Sequence, residues 1–148
     1  MTSALHFAQC PATLWQGEGE QAVSWQQDPD FAARPDEEIA ELFHLVPIDV
    51  AVDSCRPVYR QHPGTAPAVA TGRLFLRLYD DRTIDSFDAA LEALGLCVAV
   101  LLKWAPNAAW VTAIDDRPCH ALSQLSELQK REGVTHAEAQ LLMAVQHR

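Results

Sequence analysis

The chain has 148 residues, 49% of them hydrophobic, which is enough for one globular domain with or without an extension. Its formal net charge of -9, with only Lys103 and Lys130 as lysines, argues against binding to a phosphate backbone, so we expect no nucleic acid partner. The sequence lacks an apolar run of membrane-spanning length and a signal-peptide pattern at its N-terminus, so we expect a cytoplasmic protein with no membrane partner.

Residues 1–70 are predicted to form an extension that docks on the rest of the chain. Short strands or turns are expected in residues 1–35, which contain two tryptophans. From Pro35 to Val46, acidic residues precede an apolar stripe of period 3.6, which predicts a helix that ends at Pro47. Residues 48–53 alternate apolar and polar side chains and predict a strand. The segment 61–72, rich in Pro and Gly, is interpreted as a linker to a second domain, residues 71–148.

One pattern occurs twice between Leu74 and the C-terminus: a short apolar run, Asp-Asp-Arg, an amphipathic helical pattern, a glycine and another apolar run. A tight hairpin through Ala105-Pro106-Asn107 is predicted between the two copies. The resulting order is strand, helix, strand, strand, helix, strand. It predicts the α+β class, as a ferredoxin-like βαββαβ sandwich of a four-stranded antiparallel sheet with two helices on one face.

The sequence contains no pattern that is typical of an active site. No two metal-binding side chains share ligand spacing on one predicted element, no serine has glycines on both sides, and no glycine-rich loop could hold a phosphate. We therefore expect no catalytic residue, no metal and no cofactor. The two Asp-Asp-Arg triplets are interpreted as turns at helix starts, where Asp accepts backbone N–H bonds. The four cysteines are expected to be mostly reduced packing residues, with one or two disulfides as the alternative.

Aromatic side chains mark one face of the predicted sheet. The first strand of the repeat alternates leucines with aromatic or charged residues, and the leucines are expected to meet the helices. Two further aromatic residues lie at the ends of the hairpin. This aromatic set is either covered by the N-terminal extension or binds a partner. It consists of Phe75, Tyr79, Trp104 and Trp110.

The segment from Arg73 to the C-terminus resembles the propeptide, or inhibitor, domains of subtilisin-like serine proteases. The resemblance covers about half of the chain and rests on the order of elements and on a few residues. These are Leu94-Gly95 after the first helix, the hairpin WAPNAAWV, and residues 133–138, Gly-Val-Thr-His-Ala-Glu.

The resemblance implies a non-enzymatic protein that binds a subtilisin-type protease, in cis as the pro-region of a zymogen or in trans. It would act as an intramolecular chaperone and as an inhibitor. The open sheet face would dock on two protease helices, whose N-termini the family caps with acidic residues; here these positions hold Glu138 and the amide Gln140. The tail implied to enter the substrate cleft comprises Leu141, Leu142, Met143, Ala144, Val145 and Gln146.

A second hypothesis belongs to a different class. A ferredoxin-like module could bind a small ligand, or pair with a second copy as a homodimer, through the aromatic sheet face. Protease inhibition would favour the first hypothesis, and a dimer that Phe75→Asp or Tyr79→Asp disrupts would favour the second.

Overall fold

The computed structural model describes residue 7 and residues 9–17, 19–52, 54–143 and 145–146. Contacts divide the chain into two compact units. The first unit comprises Met1–Thr71 with Leu141–Arg148, and the second unit comprises Gly72–Gln140. No helix in the described ranges is long and apolar enough to cross a membrane.

Strands make up most of the regular structure. They are β1 (Thr13–Gln16), β2 (Val23–Pro35), β3 (Phe43–Pro47), β4 (Arg56–Arg60), β5 (Ala68–Leu78), β6 (Leu96–Leu101), β7 (Ala108–Ala113), β8 (Val134–Leu142) and β9 (Val145–Gln146). The α-helices are short: α1 (Asp88–Ala93), α2 (Pro118–Ser123) and α3 (Leu125–Lys130).

The predicted fold class is wrong. The chain is mainly an antiparallel sheet, with 44% of residues in strands, rather than a ferredoxin-like sandwich of four strands and two helices. Four strands, β1 to β4, form where an extension with one helix and one or two strands was expected. The second half of the predicted linker is also strand, because β5 begins at Ala68 and residues 68–72 belong to it.

The helix predicted from Pro35 to Val46 is absent. Pro35 ends β2, and the Asp36 carboxylate accepts the N–H groups of Glu38 at 3.0 Å and Ile39 at 2.8 Å, which closes a turn before β3. Such bonds also cap helices, but here the chain leaves the turn as a strand, because residues 43–47 pair with residues 31–35 of β2. Ile39, the first residue of the supposed apolar stripe, is 58% exposed.

The predicted strand at residues 48–53 is also absent. Ile48–Val50 forms a single 3-10 turn that follows Pro47, and Asp53 lies outside the described residues. Val50 is 65% exposed and Val52 is 55% exposed, so neither side chain faces the core. Alternation over six residues was therefore insufficient evidence for a strand.

In the first unit, β2 pairs antiparallel with β1, β3 and β4, and β4 pairs with the first residues of β5. Strand β9 pairs in parallel with β3. The buried core of this unit includes Ala33, Phe43, Leu45, Val58 and Val69.

In the second unit, β5 pairs with β7 on one edge and with β8 on the other, and β6 pairs with β7. Helix α1 connects β5 to β6, and α2 and α3 connect β7 to β8. The leucines of β5 are buried, as their alternation predicted, and apolar residues of the helices are buried as well. These core residues are Leu74, Leu76, Leu78, Leu91, Leu122, Leu125 and Leu128.

Candidate functional site

Three adjacent strands of the second unit present polar and aromatic side chains on the side opposite the buried leucines. Because side chains alternate along a strand, Phe75 and Arg77 of β5 point away from Leu74, Leu76 and Leu78. The same alternation in β8 separates His136 and Glu138 from the buried Ala137 and Ala139. We call this surface the aromatic face and define it as Phe75, Arg77, Trp110, His136 and Glu138.

The centre of the aromatic face is a pair of aromatic rings. Phe75 lies directly opposite Trp110 across β5 and β7, with ring centroids 5.4 Å apart and an edge-on angle of 68°. This is a favourable geometry, because the positive edge of one ring meets the negative face of the other. The Arg77 guanidinium carbon lies 6.0 Å from the Phe75 ring centroid, at the limit of a cation–π contact.

The Phe75 ring also approaches β8. Its centroid is 6.3 Å from the His136 ring, and His136 Nε2 lies 3.2 Å from Glu138 Oε2. The two side chains are 25% and 29% exposed, so the carboxylate is within reach of a partner. The aromatic face therefore joins an apolar centre to a carboxylate on one surface, a combination suited to a protein partner.

The structure brings together only part of the predicted set. Phe75, Trp110 and Glu138 belong to the aromatic face, and the half-buried Gln140 follows on the same side of β8. Tyr79 comes just after β5 and is 55% exposed, and Trp104 lies in the loop between β6 and β7 and is 76% exposed. Within the described part of the chain, neither of these two rings contacts another aromatic ring.

The predicted cleft-occupying tail lies within the first unit. Leu141 and Leu142 end β8, and Leu142 packs against the first-unit core. Met143 is 54% exposed, and Ala144 lies outside the described residues. Val145 and Gln146 form β9, which pairs with Phe43 and His44. Most of the predicted tail is therefore engaged within the chain itself, by packing of Leu142 and by strand pairing of β9.

The Asp-Asp-Arg triplets form turns, as predicted, but the second triplet also makes a side-chain contact that was not predicted. Asp115 accepts the N–H of Arg117 at 3.1 Å, and it is also hydrogen-bonded to the His120 ring. Desolvation alone would raise the pKa of Asp115, but these hydrogen bonds hold it below its usual value. The sequence analysis missed this pair, although an Asp five residues before a His across a strand-to-helix turn was a usable signal.

The pair lines a cavity of about 310 Å³ in the second unit. Its other lining residues are Leu94, Gly95, Ile114, Ser123 and Gln124. The Ser123 hydroxyl donates to the backbone oxygen of His120 at 2.8 Å, as an ordinary intrahelical bond. The cavity therefore combines apolar side chains with a hydrogen-bonded Asp–His pair.

A cavity of about 320 Å³ in the first unit lies beside the irregularity of β2 between Gln27 and Ala32. Arg60 lines it, but Nε of Arg60 donates to Asp28 at 2.9 Å and Nη1 donates to the backbone oxygen of Thr65. These bonds give the guanidinium a structural role in holding the loop.

The cysteine prediction holds for Cys55, which is a buried free thiol. Cys97 is a free thiol but is exposed, and Cys10 and Cys119 are disulfide-bonded. In the described ranges, no three His, Cys, Asp or Glu side chains converge as metal ligands. Comparisons of the chain with protein-family models, curated proteins and solved structures give no match in any of the three.

Proposed function

We propose that this chain is a non-enzymatic binding protein that docks on a subtilisin-type serine protease through the aromatic face of the second unit. The observation that supports the proposal most directly is the juxtaposition of the Phe75–Trp110 ring pair with the His136–Glu138 pair on adjacent strands. Aromatic residues of this kind are enriched at the centres of protein interfaces, where their burial supplies much of the binding energy.

Glu138 has the chemistry that the resemblance requires. A carboxylate on the surface of β8 can accept N–H groups from the first turn of a partner helix, and the helix dipole favours its charge there. Gln140 can accept hydrogen bonds but carries no charge, so Glu138 would supply the electrostatic part of the interaction.

The proposal assigns docking to the aromatic face and not to residues 141–146. Entry of this segment into a protease cleft would remove Leu142 from the first-unit core and separate β9 from β3. Burial of one leucine side chain contributes about 1.5–3 kcal/mol, which a protease cleft would have to replace.

Inhibition of purified subtilisin, measured with a chromogenic peptide substrate, tests the proposal. We expect the intact chain to inhibit, and Trp110→Ala to weaken inhibition by about 30-fold, as for an interface hot spot. Trp15→Ala is the matched control, because Trp15 is 58% exposed and belongs to the first unit, and it should inhibit like the wild type. Absence of inhibition by a cooperatively folding wild-type sample at about 10 μM would contradict the proposal.

Two further variants separate the face from the tail. Glu138→Gln should weaken inhibition by about 3- to 30-fold, and Glu127→Gln, an exposed carboxylate of α3, should not. A chain that ends after Met143 keeps Leu142 in the core and should inhibit like the full chain. Loss of inhibition in that shortened chain would show that the tail, rather than the aromatic face, binds the protease.

A further inference from the structure

Strand β6 is an edge strand. In the part of the chain that the structure describes, it pairs with β7 and with no other strand. Its sequence, LCVAVL, is wholly apolar, without the charges and prolines by which proteins usually protect an edge from pairing. A bulge between Val98 and Val100 is the one such device within the strand.

The register of β6 identifies the backbone groups on its open edge. The N–H of Ile114 donates to the oxygen of Gly95 at 2.9 Å, and Leu96 lies opposite Ala113. Because hydrogen-bonded and non-hydrogen-bonded pairs alternate in an antiparallel ladder, the backbone groups of Leu96 and Val98 point away from β7. After the bulge, Val100 lies opposite Trp110. The same alternation therefore directs the backbone N–H and C=O of Leu101 away from β7.

The two ends of this edge carry opposite charge. Around the start of β6, three carboxylates (Glu92, Asp115 and Asp116) and one guanidinium (Arg117) are exposed, so acidic groups predominate there, and Lys103 is exposed just after the end of β6. If a second copy added its own β6 in antiparallel orientation, each Lys103 would approach the acidic end of the other copy. Parallel addition would bring like charges together, which disfavours it.

Exposed apolar residues near the two ends of β6 are also complementary, as a protruding group and a cavity. Trp104 and Leu101 are 76% and 57% exposed near the end of β6. Near its start, Ile114 is 57% exposed and lines the 310 Å³ cavity with Leu94 and Gly95. With Leu96 opposite Leu101 of the second copy, the turn that carries Trp104 lies beside the residues that precede β6 of the other copy; the Ala105 N–H closes this turn on the Leu102 oxygen at 3.2 Å.

We propose that two copies of this chain form a symmetric dimer by antiparallel pairing of their β6 strands, with Trp104 of each copy against the Leu94–Ile114 cavity of the other. The two-fold axis passes between Val98 and Ala99. This arrangement is self-complementary, as a two-fold interface requires. The proposed dimer uses the edge of β6 and not the aromatic face, so its test does not depend on protease binding.

The register gives a direct cross-linking test. Cys97 is an exposed free thiol on the same face of β6 as Val100, and in the proposed dimer it lies opposite Val100 of the second copy. Mild oxidation of Val100→Cys should therefore produce a covalent dimer through Cys97 on a non-reducing gel. Val50→Cys, at a position that is 65% exposed in the first unit, is the matched control and should stay monomeric on the gel.

Sedimentation equilibrium tests the contacts. We expect a concentration-dependent dimer in the wild type, and dissociation constants raised about tenfold or more in Trp104→Ala and Leu101→Lys. The controls Trp15→Ala and Ile39→Lys, at similarly exposed first-unit positions, should keep the wild-type constant. Circular dichroism and cooperative unfolding confirm that each variant is folded.

A charge exchange tests the orientation. Lys103→Glu and Glu92→Lys should each weaken the dimer, and the double variant should recover an affinity close to that of the wild type. A monomer up to about 1 mM, a dimer insensitive to Trp104→Ala and Leu101→Lys, or failure of the double variant to recover would each overturn the proposal.

Discussion

His44 Nε2 lies 2.7 Å from Asp36 Oδ1, across the turn that joins β2 to β3. His44 is 4% exposed, and its Nδ1 is buried without a hydrogen-bond partner among the described residues. The second carboxylate oxygen of Asp36 accepts two backbone N–H groups of the turn. One aspartate therefore holds both the turn and the ring of a buried histidine.

This pair predicts loss of stability in acid. The hydrogen bond from His44, followed by those from the backbone of Ile39 and Glu38, lowers the pKa of Asp36 from 3.8 to about 2. Ionised Asp36 therefore stabilises the fold fully above pH 3.8, and this contribution is lost as the pH falls to about 2. Urea unfolding at several pH values should show a shallower acid dependence in Asp36→Asn than in the wild type. Asp49→Asn, at an exposed carboxylate outside the pair, should keep the wild-type dependence.

Tyr59 predicts loss of stability in base. Its hydroxyl donates to the backbone oxygen of Pro11 at 2.7 Å, and burial raises the pKa of the phenol well above its usual value of 10.0. Below pH 10.0 the residue is neutral in both states. Above that pH only the unfolded chain ionises readily, so stability should fall. Tyr59→Phe should remove this part of the alkaline dependence while costing about 1 kcal/mol at neutral pH. An unchanged alkaline unfolding curve in this variant would contradict the assignment.

Gly72 should not tolerate a side chain. Its φ is +93°, and a Cβ atom there would lie 2.8 Å from Cα of Pro118, where β5 approaches the start of α2. Gly64 has a similar φ of +83°, but a Cβ there would have no heavy atom within 4 Å. Gly64→Ala should therefore cost only the left-handed strain of about 1–2 kcal/mol. Gly72→Ala should cost about 1–3 kcal/mol more, because the backbone must also move. Chemical denaturation of both variants measures the difference, and equal losses would show that the contact is unimportant.

Leu76 and Ile39 provide a test of the core. Leu76 is fully buried in β5, whereas Ile39 is 58% exposed although a helical pattern assigned it to an apolar face. Leu76→Ala should cost about 2–5 kcal/mol in unfolding free energy through lost burial and a cavity. Ile39→Ala should change it by no more than about 0.5 kcal/mol, as for most exposed sites. A large loss in Ile39→Ala would indicate that this residue is packed in the folded chain.

Several local features of the second unit followed from the sequence. The alternation in residues 74–78 predicted the buried and exposed sides of β5, and the Ala-Pro-Asn turn predicted the β6–β7 hairpin. The glycine of the first repeat, Gly95, follows α1 as the pattern predicted, and its φ is +74°. These predictions succeeded because side-chain direction and turn conformation depend on residues close together in the chain.

The sequence was ambiguous from Asp36 to Pro47. Its apolar residues fit a helical period of 3.6, and the buried run Phe43, His44 and Leu45 fits a strand equally well. Pairing of β3 with β2 and β9 decided between them, together with the Asp36 turn.

The sequence by itself therefore determined the repeated strand and helix pattern of residues 74–133, together with the glycines that follow its helices. It also determined which side of β5 is aromatic. Only the tertiary structure decided that the preceding residues form strands, that residues 141–146 join the first unit, and that His136 completes the aromatic face. The physical reason is that strand pairing joins segments far apart in the chain. Phe43 pairs with Val145, and the local sequence pattern of neither segment indicates this pairing.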